Sequence, residues 1–333
     1  MKKTILLMGF LALMYVGVSC SESPMTEAEN SVEHSAARAF GTLRACASMD
    51  VLAQQLADNP NLKAQMDEVE VHTNRIIASK VGTSALGPND IITIPVVVNV
   101  LWNTTQENIS DAQIQSQIDV LNEDYSNTNT DLTKTPTAFK PLIGKMNVKF
   151  VLSAVYRKQT TKTSWGTNDD IKKTNKGGLN PTDPTKKLNM WVGNIGGGIL
   201  GYAQFPGGKA ATDGVVIGPN YFGRTGYVSA PFDKGRTASH EVGHWLNLRH
   251  IWGDDGTKCT GSDLVSDTPN AAGPNYGCPS FPKLSCSNGP NGDLWMNFMD
   301  YTDDACMYMF TAGQVTRSRA IFATGGPRAS FVQ

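Results

Sequence analysis

The 333-residue chain has only five histidines, six cysteines and almost no net charge, with 29 Lys and Arg against 30 Asp and Glu. A balance of −1 gives no electrostatic case for a nucleic-acid partner or for binding through a polybasic membrane surface, both of which need clustered positive charge. Long apolar runs are also lacking. Ile5–Val18 follows Lys2-Lys3, too short for a bilayer span and flanked as a secretory signal is. No Cys-x-x-Cys pair occurs, which removes the usual spacing of a structural zinc site. The 32 glycines and 17 prolines suggest a loop-rich fold. The length suits one sizeable domain with subdomains, or two domains. We read one large domain preceded by removable N-terminal pieces.

Three of the five histidines stand together in His240-Glu241-Val242-Gly243-His244-Trp245-Leu246-Asn247-Leu248-Arg249-His250. Four residues apart on a helix, His240 and His244 share a face, so both imidazoles reach one ion at about 2.0–2.1 Å. Glu241 is turned roughly 100° from His240. Its carboxylate then lies beside the metal, placed to take a proton from a water that zinc acidifies. With His250 as a third ligand and no cysteine in the segment, a fourth position stays open. Open sites are catalytic and closed ones structural, so the segment predicts a zinc enzyme over a chance match among ordinary helix residues.

The pattern resembles the metzincin signature HExxHxxGxxH with a later methionine turn, here Asn297-Phe298-Met299-Asp300-Tyr301. Within that clan the chain is most similar to the pappalysin family and its small bacterial, ulilysin-like members. Leu200–Pro206, Gly235-Arg236-Thr237, Asp267-Thr268-Pro269, Met299-Asp300-Tyr301, Cys306-Met307 and Phe310-Thr311 carry the likeness, which runs from about Ile94 to about Phe322. Asn247 departs from the signature, where glycine is expected. The position needs a left-handed backbone to swing His250 back to the metal, and asparagine is the best substitute for glycine there.

The resemblance implies a mixed α/β fold, with a twisted sheet and zinc helix in an upper subdomain and a small, irregular, disulfide-stapled lower one. It also implies a protein- or peptide-cleaving zinc endopeptidase made as a latent zymogen. Met299 would floor the zinc site, a packing role that differs little from that of any core methionine. Tyr301 would steady the reaction's intermediate, unless it is simply a buried structural tyrosine. Asp304 would lie at the base of the pocket for the residue after the cut and select Arg or Lys. Asp303 beside it leaves that assignment ambiguous, and a solvated loop aspartate is the alternative. In the loop after His250, Asp263, Asp267 and Thr268 supply hard oxygens of the kind calcium takes. The resemblance points to Asp263 and Thr268 as the side-chain ligands of a structural calcium, against ordinary solvated loop residues.

The cysteines divide by position. Gly17-Val18-Ser19 before Cys20 resembles a bacterial lipoprotein signal, with ordinary cleavage nearby as the alternative. Lipidation implies an exported outer-membrane lipoprotein, periplasmic, at the cell surface or secreted after processing. Cys259, Cys278, Cys286 and Cys306 suggest two disulfides in an exported chain, with three pairings open. The resemblance favours Cys259–Cys286 and Cys278–Cys306. Cys46 stands alone: it either fills the open zinc position of a latent form, as pro-segment cysteines do in several metzincins, or is a buried or intermolecularly paired thiol.

These readings divide the chain into a signal at 1–20, a pro-segment at 21–80 and a catalytic domain at 81–333, the last split at residue 250 into upper and lower subdomains. Helical periodicity marks Val51-Leu52-Leu56 and Met66–Val69 in the pro-segment. A strand is expected at Ile94–Trp102, then a helix opened by a Ser110/Gln113 capping box with Ile114, Ile118 and Leu121 on one face. Further strands follow at Val148–Val155, Leu188–Val192 and Val215–Ile217, with the zinc helix at 237–247 and a late helix at Ala312–Phe322. Substrate would run antiparallel to an edge strand near Leu200–Phe205, with self-processing before Arg75 or Lys80. The chain reads as a monomer. The rival functions are a non-catalytic surface lipoprotein that keeps the fold for binding, which loss of Glu241 would have favoured, and a metallohydrolase acting on a lipid or small amide.

Overall fold

The structure, a computed structural model, describes residues 43–79, 87 and 89–332. The signal, Cys20 and Lys80 lie outside the described residues.

Five strands form one sheet: β1 (Ile92–Trp102), β2 (Val148–Gln159), β3 (Leu188–Val192), β4 (Gly201–Ala203) and β5 (Val215–Ile217), in the order β2-β1-β3-β5-β4. All neighbours run parallel except β4, which pairs antiparallel with β5 at one edge. β1 is apolar almost throughout because both of its faces are covered. Val96, Val98 and Val100 face one layer with Met190 and Val192, while Leu101, Trp191, Tyr202 and Val216 face the other. Burying each such side chain contributes roughly 1.5–3 kcal/mol. β2 is the opposite edge, and its exposed positions mix polar Lys149, Ser153, Arg157 and Gln159 with Val151 and Tyr156.

Five α-helices are described: α1 (Ser48–Asp58), α2 (Leu62–Ser79), α3 (Asp111–Ser126), α4 (Arg236–Trp245) and α5 (Ala312–Ala320). Ser110 caps α3 by accepting from Gln113 N, and Asn127 ends it in the left-handed conformation. The capping box itself is not formed. Gln113 Nε2 instead donates to the carbonyls of Pro219, Phe222 and Tyr227, because three loop carbonyls, two of them on buried residues, outweigh one exposed amide. The complete box occurs at α5, between Thr311 and Gln314. Arg75 lies inside α2, where its Nη2 meets His72 Nδ1 at 3.1 Å. A cut before Arg75 therefore requires that helix to unwind.

Between α4 and α5 the chain forms no helix longer than the 3-10 turn Asp304–Cys306 and no strand of the sheet. Disulfides Cys259–Cys286 and Cys278–Cys306 hold this stretch. Closing loops of 27 and 28 residues contributes roughly 2–4 kcal/mol each. The double variant Cys278→Ser/Cys306→Ser should lower the unfolding free energy by about that amount, read in a urea titration. An unchanged midpoint would mean the segment is held by its packing alone.

Candidate metal centre and cleft

Every residue of α4 is buried, polar ones included, so each polar side chain needs a partner. Arg236 lies against Asp124 at 3.0 Å and Asp131 at 3.2 Å. Burial pushes the Asp124 carboxyl up to about 7 against the opposing pull of Arg236. The helix stops where the sequence requires it to. Asn247 N donates to His244 O and Leu248 N to Gly243 O, a Schellman pair, with Asn247 at φ 71°. The turn returns the chain so that His250 faces the helix it has just left. Gly243 allows the floor to close: a Cβ there would meet Met299 Sδ at 2.3 Å.

His240, His244 and His250 converge. Their Nε2 atoms lie 3.1 Å (240–244), 3.1 Å (244–250) and 3.3 Å (240–250) apart. On the far side of each ring Nδ1 donates its proton, His240 to Phe298 O at 2.7 Å, His244 to Leu248 O at 2.8 Å and His250 to Asp254 Oδ1 at 2.6 Å. Carbonyl and carboxylate oxygens accept here, so Nδ1 of each ring carries a proton and the three Nε2 atoms, the ligand positions, face one another. Burial first, then the neighbouring histidines, hold His240 and His244 well below the usual histidine range. Three buried imidazole nitrogens this close together make a ready-built ligand set for a cation. A tetrahedral ion with bonds of about 2.0–2.1 Å sets its ligands roughly 3.3–3.4 Å apart. The residues therefore fit zinc, with the outer oxygens fixing each ring as in known zinc sites.

Cys46 Sγ completes the cluster, with the four donor atoms all within 4.8 Å of one another. It arrives on a stretch that pairs with the sheet edge. Ala45 O accepts from Leu200 N at 2.9 Å and Ala47 N donates to Gly201 O at 3.0 Å, so the stretch runs parallel to β4. Glu241 is 1% exposed. Its Oε2 meets Ser48 Oγ at 2.8 Å and Cys46 Sγ at 3.3 Å, and burial pushes its carboxyl up to about 7. Tyr301 packs edge-on to His250, with ring centroids 4.9 Å apart, and its hydroxyl donates to Cys46 O at 3.3 Å.

Asp304 is fully buried. Its Oδ2 accepts from Lys234 N and Arg236 N at the start of α4, where the helix dipole favours an anion. Its Oδ1 meets Arg44 Nη2 at 2.5 Å. Arg44 also donates to Thr237 Oγ1 and Thr302 O and lies 4.9 Å over the Phe232 ring. Asp303 is only partly buried and makes none of these contacts. In the later loop, Thr268 Oγ1 donates to Asp263 Oδ2 at 2.7 Å, and Val265 O lies 3.1 Å from the same hydroxyl. Asp267 accepts from Thr311 Oγ1 and Gly313 N at the head of α5 instead.

Sequence reasoning missed Arg44, Ser48, Asp254 and Trp252. Arg44 stands two residues before Cys46, and Ser48 two residues after it, and neither carries a spacing of its own that marks it in the sequence. Asp254 follows His250 at the four-residue spacing that carried weight for His240 and His244, and could have been found that way. Trp252 stacks on His250 at 4.3 Å and 6° between planes, for which no sequence signal exists.

A parallel sheet with one antiparallel edge strand, a buried histidine-bearing helix ending in a left-handed turn, and a methionine floor define a zinc metalloprotease of the metzincin type. Residues 168–323 match the peptidase M43 family model described as pregnancy-associated plasma protein-A. An extracellular metalloprotease of Pyricularia oryzae is 35% identical over 241 residues, spanning 70% of this chain and 75% of that one. One from Arthroderma otae is 31% identical over 253 residues, 70% and 81% of the two chains. Mature mirolysin of Tannerella forsythia, solved with a cleaved peptide, is 50% identical, with TM-score 0.72 over 73% of this chain and 96% of its own. A mutant of promirolysin is 44% identical, with TM-score 0.79 over 86% and 97%. The chain belongs to the pappalysin family of zinc metalloendopeptidases.

Proposed function

We propose that the chain is an exported endopeptidase that cuts before Arg or Lys and is held latent by its own residues 21–80, with residues 81–333 as the catalytic domain. The observation that carries this is Arg44 bound to buried Asp304 while Cys46, two residues on, meets the histidine cluster. A basic side chain already fills the acidic pocket, and a thiol takes the position that catalysis needs free. Promirolysin, which matches more of the chain than mature mirolysin does, supports the latent form. The alternative of Asp304 as a solvated loop residue is disfavoured by its complete burial.

In this reading His240, His244 and His250 would hold zinc, with Cys46 as a further ligand until the segment leaves. When bound, zinc supplies the Lewis acidity that polarises a peptide carbonyl and acidifies water. Glu241 takes the proton of the attacking water and passes it to the leaving amine nitrogen, so that a carboxylate and an amine are released. The Tyr301 hydroxyl, freed from Cys46 O, donates to the carbonyl oxygen as negative charge gathers there. Leu200 N and Gly201 O, now paired with the pro-segment, hold substrate backbone.

Asp263 and Thr268 are the proposed side-chain ligands of a structural calcium ion. Three oxygens crowd there, and burial pushes the Asp263 carboxyl up to about 6, a cost that a cation offsets. Export rests on Lys2-Lys3 with the apolar run after it and on relatives named as extracellular. Cys20 is the proposed lipid anchor of an outer-membrane, periplasmic or surface form, and the working unit is a monomer. No helix among the described residues is long and apolar enough to cross a membrane.

The test is a mixed peptide library cut by the self-processed protein and read by mass spectrometry, with and without a zinc chelator. Cuts before Arg and Lys that stop with chelator and return with zinc are expected. Cuts without regard to the following residue would remove the Asp304 assignment, and no cuts at all would remove the enzyme.

A further inference from the structure

Ser48 is the first residue of α1, one past its N-cap Ala47, where a serine hydroxyl is free to bond locally to nearby backbone. Here it does not. The helix has no side-chain cap at Ala47, and Ser48 Oγ accepts from Ala203 N at 2.8 Å while donating to Glu241 Oε2 at 2.8 Å. Ser48 is wholly buried, so neither partner reaches water through it. Ala203 N belongs to the edge strand and Glu241 is the residue assigned as base. One hydroxyl therefore engages the proton acceptor and an edge-strand donor together, with Cys46 Sγ 3.2 Å from it.

Resting on the zymogen reading above, we propose that Ser48 is a second latency lock beside the thiol. Its hydroxyl oxygen occupies the place beside Glu241 that the attacking water must take. The thiol blocks the metal side of the reaction and the serine blocks the proton side. Displacing Cys46 alone thus leaves Glu241 hydrogen-bonded and its water excluded, and activation requires the start of α1 to leave the cleft.

The test uses the full-length zinc-loaded chain. Self-conversion is followed on gels for the parent, Ser48→Ala and Cys46→Ala, and iodoacetamide labelling of Cys46 is read on the uncut chain by peptide mass mapping for the first two. Ser48→Ala should shorten the conversion half-time and speed Cys46 labelling on the order of tenfold, as loss of a hydrogen bond to a charged group implies. A second arm repeats the labelling of the parent and Ser48→Ala in a Glu241→Gln background, where no self-cleavage intervenes. There the serine's effect should shrink, because a neutral amide accepts more weakly than a carboxylate. An equal effect in both backgrounds would mean that Ser48 acts by general packing, and the proposal falls. Faster conversion of Cys46→Ala with no change in Ser48→Ala also overturns it while leaving the zymogen reading intact. No change in Cys46→Ala would overturn the zymogen reading itself.

Discussion

Glu241→Gln is expected to lower peptide hydrolysis by about two to four orders of magnitude, the usual range for loss of a positioned general base, with zinc content per chain unchanged. The two readouts separate because the three histidine rings are oriented by Phe298 O, Leu248 O and Asp254, none of which involves Glu241. The amide fits the same space, packed against Gly201, where an added Cβ would come within 2.9 Å of Glu241 Cγ. Measured after an added protease has removed the pro-segment from both proteins, the loss would therefore report proton transfer and not collapse of the cleft. The variant should also persist as the uncut full-length chain. Metal analysis beside a fluorogenic peptide assay checks both, and hydrolysis within tenfold of the parent would show that another group takes the proton.

For Asp304→Asn, kcat/KM on peptides with Arg or Lys after the cut should fall by roughly thirty- to several-thousandfold, matching the 2–5 kcal/mol lost when one partner of a buried charge pair is truncated. Peptides with an apolar residue at that position should change little. The ratio between the two substrates is the informative quantity, because Asp304 also accepts from Lys234 N and Arg236 N at the head of α4. Disturbing that helix start would slow both substrates alike and leave the ratio untouched. A constant ratio would mean that the pocket reads the next residue by shape, and that Arg44 sits on Asp304 only as part of the latent packing.

Much of the centre was legible in the sequence because its ligands are local. A four-residue spacing fixes two imidazoles on one helix face whatever surrounds them, and Asn247 declares the left-handed exit that returns His250. The sheet strands were legible for the same reason, since β1 and β3 are near-continuous apolar runs. Their ends were less so: β2 continues to Gln159 because β1 pairs with it along its whole length, a fact of partnership and not of propensity. Gln113 shows the same limit, as its local capping role yields to carbonyls more than a hundred residues away.

The sequence alone determined a zinc-binding helix and its chemistry, because helical periodicity and the protonation of histidine and glutamate are properties of residues and their neighbours in the chain. Only the tertiary structure decided that Asp304 and not Asp303 is the buried acid, that Arg44 lies upon it, and that Ser48 meets Glu241. Those contacts join residues nearly two hundred or more positions apart, and no local preference carries such a pairing. The direction of the segment was decided there too, since parallel pairing with β4 depends on which edge of the sheet is left open to receive it.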